Sequence, residues 1–129
     1  MRTASCSCGK LTATTPTTPI RVSVCHCFAC QKRTGSVFGT SARFDRGSVM
    51  LAGPSTAYVR IGDSGGRATF HFCPECGATV YYIIEDQPDI IAIPVGAFTD
   101  PSFPPPTRSV YENRRHPWVH LPQNLERVG

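Results

Sequence analysis

Seven cysteines in three tight groups constrain this 129-residue chain more than any other feature. The groups are Cys6-Ser7-Cys8-Gly9, Cys25-His26-Cys27-Phe28-Ala29-Cys30 and Cys73-Pro74-Glu75-Cys76-Gly77. Cysteines two or three positions apart can deliver two sulfurs to one tetrahedral Zn²⁺, at about 2.3 Å each, without distorting the chain. Gly9 and Gly77 each follow the second cysteine of a pair, where a small residue permits the tight turn that aims amides at sulfur. Disulfides fit poorly, because seven is odd and bridging such close neighbours strains the linkage. A redox pair at Cys73/Cys76 is weighed and set aside with them. Two metal groupings remain open by spacing. In one, the pairs 6/8 and 73/76 close a four-cysteine site, and Cys25, Cys27 and Cys30 supply three ligands to a second. In the other, Cys27/Cys30 join Cys73/Cys76 as a zinc ribbon, which strands Cys6, Cys8 and Cys25. The first uses every cysteine and ranks ahead. Four protein ligands make a closed, structural zinc site; three leave a position free for chemistry.

The charge balance changes once metal is counted. Seven thiolates and two Zn²⁺ together contribute −3, which brings the formal +4 down to +1. Apart from Lys32-Arg33 and Arg114-Arg115 the basic residues are scattered, and aromatics do not interleave with them, so a nucleic-acid track is not expected. No apolar run approaches the ~18 residues of a membrane span, so no membrane association is expected. Met1 to Cys6 lack the apolar stretch of a secretory signal, so the expected location is cytoplasmic, where thiols stay reduced.

The length fits one domain over residues 1–129. Short segments rich in Val, Ile, Phe and Tyr recur between turn residues: 20–24, 37–44, 57–61, 68–72, 79–84 and 90–95. These read as strands, with Phe70 and Phe72 on one face of theirs. No helical stripe emerges beyond a single turn at 27–32, so the class is mainly β. Residues 101–106 hold four prolines and read as a surface crossing towards a last strand near Val110-Tyr111. The tail around Trp118 and Leu121-Pro122 is expected to pack back on the body.

The cysteine groups in this order, with Thr34-Gly35-Ser36 after the triplet and Phe72 before Cys73, resemble the glutathione-dependent formaldehyde-activating enzyme family. The late pattern from Pro106-Thr107 to Pro117-Trp118 and Leu121-Pro122 is similar too. The resemblance implies a β-tent of packed antiparallel sheets organised around zinc. It assigns Cys6, Cys8, Cys73 and Cys76 to a structural zinc, and Cys25, Cys27 and Cys30 to a catalytic, labile one. It also implies a carbon–sulfur lyase whose founding activity joins formaldehyde and glutathione into S-hydroxymethylglutathione. A histidine often found three residues after the proline of the late pattern is Ser109 here.

Chemistry follows from the open position. A thiol bound there would be held as a thiolate at neutral pH and could add to a small aldehyde. His26, between two ligands, could relay a proton, although neighbours of ligands in an extended segment point the other way. Lys32, Arg33, Arg43, Arg114 and Arg115 are candidate clamps for substrate carboxylates, each competing with a role as a solvated surface charge. Trp118 and the tyrosines are assigned mainly to core packing. Glu85, Asp86 and Asp89 read as a turn, and His71, His116 and His120 carry no motif. Two other classes stay in view. A noncatalytic zinc module for protein or nucleic acid would have a closed second site. A methionine-sulfoxide reductase would need a cysteine free of metal.

Overall fold

The computed structural model describes residues 1–129. In chain order the strands are β1 (Arg2–Ser5), β2 (Thr12–Thr15), β3 (Arg21–Cys25), β4 (Gly39–Asp45), β5 (Met50–Ala52), β6 (Thr56–Ile61), β7 (Arg67–Phe72), β8 (Thr79–Ile84), β9 (Ile90–Pro94), β10 (Arg108–Val110) and β11 (Glu126–Arg127). One helix, α1 (Phe28–Thr34), follows β3. The class is mainly β, with two packed sheets. The smaller runs β1-β2-β5 and the larger β11-β10-β3-β4-β9-β8-β7-β6.

Pairing is antiparallel except at one edge, where β10 runs parallel to both β3 and β11. The reason is topological. β4 is antiparallel to both β3 and β9, so β9 and β10 point the same way and need a long crossover. The proline-rich stretch supplies it, and Phe103 within that stretch is buried, stacked on Phe98 at 4.8 Å.

Six of the expected strands form, with shifted ends. β9 is covered on both faces, since Ile91, Ala92 and Ile93 are all buried. The core lies between the sheets, where Ala4, Leu11 and Ala13 meet Val22, Phe44, Val80, Ile91 and Ile93. The Phe70/Phe72 alternation is interrupted by a register shift between His71 and Phe72, just before Cys73. The last strand ends at Val110 because Tyr111 takes a left-handed conformation, φ 54°. α1 runs two turns rather than one, with Cys27 as its N-cap. The tail docks through Val119 and Leu125, which are buried. Trp118 is 65% exposed, which corrects the expectation that it packs in the core. No helix is long and apolar enough to cross a membrane.

Candidate metal centres and an arginine-lined cavity

The sulfurs of Cys6, Cys8, Cys73 and Cys76 lie within 4.8 Å of one another. Both arms use the same turn. Cys6 N–H donates to Leu11 O at 3.0 Å and Gly9 N–H to Cys6 O at 3.1 Å. On the other arm Cys73 N–H donates to Ala78 O at 3.0 Å and Gly77 N–H to Cys73 O at 2.8 Å. Gly9 and Gly77 sit at φ 82° and 79°, the left-handed conformation that closes each turn. Amides of Leu11 and Glu75 point at Cys6 Sγ and Cys73 Sγ, at 3.2 and 3.4 Å. The Ala78 and Cys8 amides hold the Cys76 thiol down at about 6. The Cys6–Cys8 and Cys8–Cys73 sulfur separations are 3.6 Å. That is far beyond a disulfide of about 2.05 Å. It is close to the edge of about 3.8 Å for a tetrahedron with 2.3 Å metal–sulfur bonds. Four thiolates so close repel one another strongly without a cation among them. The donor set fits zinc.

The sulfurs of Cys25, Cys27 and Cys30 form a second group within 4.8 Å. Cys25 ends β3, Cys27 caps α1 and Cys30 lies in its first turn. The Cys30 amide donates to Cys27 Sγ at 3.3 Å. Hydrogen bonding to Cys25 and Cys27, with Arg60 and Arg33 nearby, holds the Cys30 thiol down at about 5, and the same contact pushes Cys25 up. The guanidinium of Arg60 lies 3.9 Å from Cys30 Sγ. Three soft sulfurs, one already favoured as a thiolate, again fit a zinc ion. The ribbon pairing does not form: Cys73 and Cys76 join Cys6 and Cys8, leaving Cys27 and Cys30 with Cys25.

His26 turns away from the cavity that the triplet opens into and is fully buried. Its Nε2 lies 2.9 Å from Ser109 Oγ and 3.3 Å from Glu112 Oε2. The Ser109 hydroxyl donates to Glu112, so Nε2–H of His26 must be the donor to Ser109. That leaves Nδ1 bare and unpartnered, the neutral tautomer. Burial lowers the His26 pKa against the pull of Glu112. Burial raises the Glu112 carboxyl, but the Ser109 hydroxyl and Arg127 outweigh it and hold the group below its usual range. Ser109 is therefore a buried hydroxyl inside a His26–Ser109–Glu112 network. Ser109→Ala is expected to destabilise the metal-loaded protein by about 1–2 kcal/mol, because buried partners lose a hydrogen bond. Urea unfolding measures this, and unchanged stability would show the network to be dispensable.

The triplet opens into a cavity of about 560 Å³. Its floor is one face of β10, β3 and β4. Arg21, Ser23 and Cys25 alternate along β3, opposite Arg43, Ser41 and Gly39 on β4, with Arg108 beside Ser23. Its wall is Tyr82, beneath which Phe70 stacks at 4.5 Å. Arg60 and Arg33 sit over the Phe70 ring at 4.4 and 5.3 Å. Gly39 leaves room for this arrangement, since a Cβ there would stand 3.1 Å from Arg33 Nη2. The Tyr82 hydroxyl donates to Ser41 at 2.8 Å, and burial raises its pKa, so it stays neutral.

Six arginines line this cavity, at 21, 33, 43, 60, 67 and 108, against one acid, Asp63, which pairs with Arg114. Of the five expected clamp residues only Arg33 and Arg43 line it. Arg114 covers Phe28 and Tyr111 while pairing with Asp63, Arg115 donates to the Val119 carbonyl and forms an ion pair with Glu112, and Lys32 stands outside. Arg21, Arg60, Arg67 and Arg108 were not expected. A signal for Arg21 existed in the period-two count back from Cys25. Arg60 and Arg108 depend on strand order, which no local pattern encodes.

This mainly β chain gathers its seven cysteines into a four-sulfur cluster and a three-sulfur cluster, the second at a cavity, and each could hold a metal ion. The family model for the glutathione-dependent formaldehyde-activating enzyme matches residues 1–114, and the chain belongs to that family. A crystal structure of a Rhodobacter sphaeroides protein is similar in fold, with a TM-score of 0.56 and 19% identity over 74% of this chain and 85% of that one. No curated protein matches the sequence.

Proposed function

We propose that the chain activates a thiol, glutathione or a similar molecule, at the three-cysteine centre and joins it to a small aldehyde, with the reverse cleavage catalysed equally. The observation that carries this reading is the placement of Cys25, Cys27 and Cys30 at one end of a roomy, arginine-lined cavity. These three residues would hold a zinc ion, whose Lewis acidity would lower the pKa of a bound thiol. The thiolate sulfur then bonds to the carbonyl carbon, and the carbonyl oxygen takes the proton the thiol lost, giving an S-hydroxymethyl product. Arg60, beside Cys30 and seated on Phe70, presents donors where the oxygen gains negative charge. His26 acts from behind: its network with Ser109 and Glu112 fixes the backbone between Cys25 and Cys27, a positioning role in place of the proton relay. The four-cysteine cluster would hold a structural zinc.

A binding module would complete its second site with a fourth protein ligand, and none joins the triplet. A reductase would need a cysteine outside both clusters, and all seven lie within them. The test is cobalt substitution followed by thiol titration. Thiolate-to-cobalt charge-transfer absorption is expected to grow with glutathione, and subsequent formaldehyde to be consumed with product detected by NMR. A doubly cobalt-loaded protein whose spectrum ignores every thiol would overturn the reading.

A further inference from the structure

The end of the cavity away from the cysteines is as unusual as the end that holds them. Arg21 and Arg43 are directly opposite on β3 and β4, a cross-strand pairing of like charges that destabilises a sheet. Arg108, beside Ser23 on β10, adds a third cation to the same face. Only Arg108 has a carboxylate partner, Glu126 at 3.0 Å; Arg43 has the neutral amide of Gln87 at 2.8 Å. Arg21 has neither, and its Nε is buried without any hydrogen-bond partner. Burial and the charges of Arg43 and Arg108 lower the pKa of Arg21 against the opposing pull of Glu126. Guanidiniums crowded on one face with too few carboxylates repel one another, and an anion bound among them relieves that repulsion. Four steps of extended strand carry the chain from Arg21 to Cys25, about 13 Å.

We propose that Arg21, Arg43 and Arg108 form an anchoring subsite for a doubly charged anion, a phosphate or a pair of carboxylates, on the tail of the thiol substrate. Three arginines against the one carboxylate of Glu126 leave the subsite about two positive charges, matching a dianion. The substrate class is thus a thiol whose anionic group lies at the far end of an extended tail. The inference rests on the triplet's being the thiol site.

Two matched pairs of thiols test it on the cobalt-loaded protein: glutathione with its diethyl ester, and phosphopantetheine with pantetheine. The anionic member of at least one pair is expected to bind about tenfold or more tightly, and Arg21→Gln to weaken that member and so erase the preference. Preference within one pair alone assigns the anion as carboxylate or phosphate. Inorganic phosphate supplies a readout independent of thiols. It is expected to raise the melting temperature of the wild-type and Cys27→Ser proteins alike, and not that of Arg21→Gln. Phosphate stabilisation without any thiol response would keep the subsite and remove the thiol reading. No preference in either pair together with no phosphate effect overturns the subsite. Without ligand, Arg21→Gln is expected to melt no lower than wild type, since repulsion is removed; should it fail to fold, Arg43→Gln carries the same test.

Discussion

Cys73→Ala will yield protein that does not reach the native fold: aggregated or expanded on gel filtration, without near-ultraviolet dichroism and without its full complement of zinc. Cys73 is completely buried, takes the Glu75 amide on its sulfur and stands 3.6 Å from Cys8 Sγ. Its cluster ties the small N-terminal sheet to the turn between β7 and β8. Structural zinc in comparable small sites contributes about 10–16 kcal/mol of apparent binding free energy. A whole domain is typically stable by only about 5–15 kcal/mol. Losing one ligand of four therefore removes an amount comparable to the entire margin. A soluble Cys73→Ala protein melting like the wild type would mean the cluster is not what holds the sheets together.

Cys27→Ser separates function from folding in the opposite way. Cys27 is the N-cap of α1, and serine is among the best residues at that position, so the helix start is preserved. The hydroxyl is, however, a poor zinc ligand in place of a thiolate. The variant is expected to keep its melting temperature within a few degrees, to bind one equivalent of metal rather than two, and to lose thiol binding and turnover by more than about 100-fold. The same asymmetry governs chelation of the wild type. The triplet metal should leave first with the fold intact, and the four-cysteine metal later, together with unfolding. If both equivalents leave in one step, the two sites share a structural role and the open-site mechanism falls.

Most strands of the large sheet were legible because β3, β4 and β6 to β9 carry Val, Ile, Phe and Tyr between turn residues, whereas β11, only Glu126–Arg127, has no such signal. β1 and β2 were not, since Arg2–Ser5 and Thr12–Thr15 contain alanine, threonine and serine with almost no large apolar side chain, and β5 is only three residues long. They are held instead by pairing with one another and by Leu11 and Ala13 in the core. The cysteine groups could be read from spacing, though spacing left two pairings open until the fold separated them. The arginine floor was largely hidden. Arg21, Arg43 and Arg108 converge only because β3 lies between β4 and β10, a long-range order with no local signature. Trp118 misled for the complementary reason: aromatic character favours burial on average, while the tail satisfies its packing through Val119 and Leu125.

The reach of the four-cysteine clasp bears on how a cell makes the protein. Cys8 and Cys73 are 65 residues apart, so at translation speeds of about 5–20 residues per second the first two sulfurs wait roughly 3–13 s for the other two. The triplet, by contrast, is complete within six consecutive residues and emerges well before Cys73. On the ribosome the three-cysteine cluster is therefore the first to present all its sulfurs, and the four-cysteine cluster the last. Metal supply during synthesis would fill the sites in the reverse of the order in which a chelator empties them. Arresting nascent chains just past residue 30 and just past residue 76, and measuring zinc on each, would reveal that inversion directly.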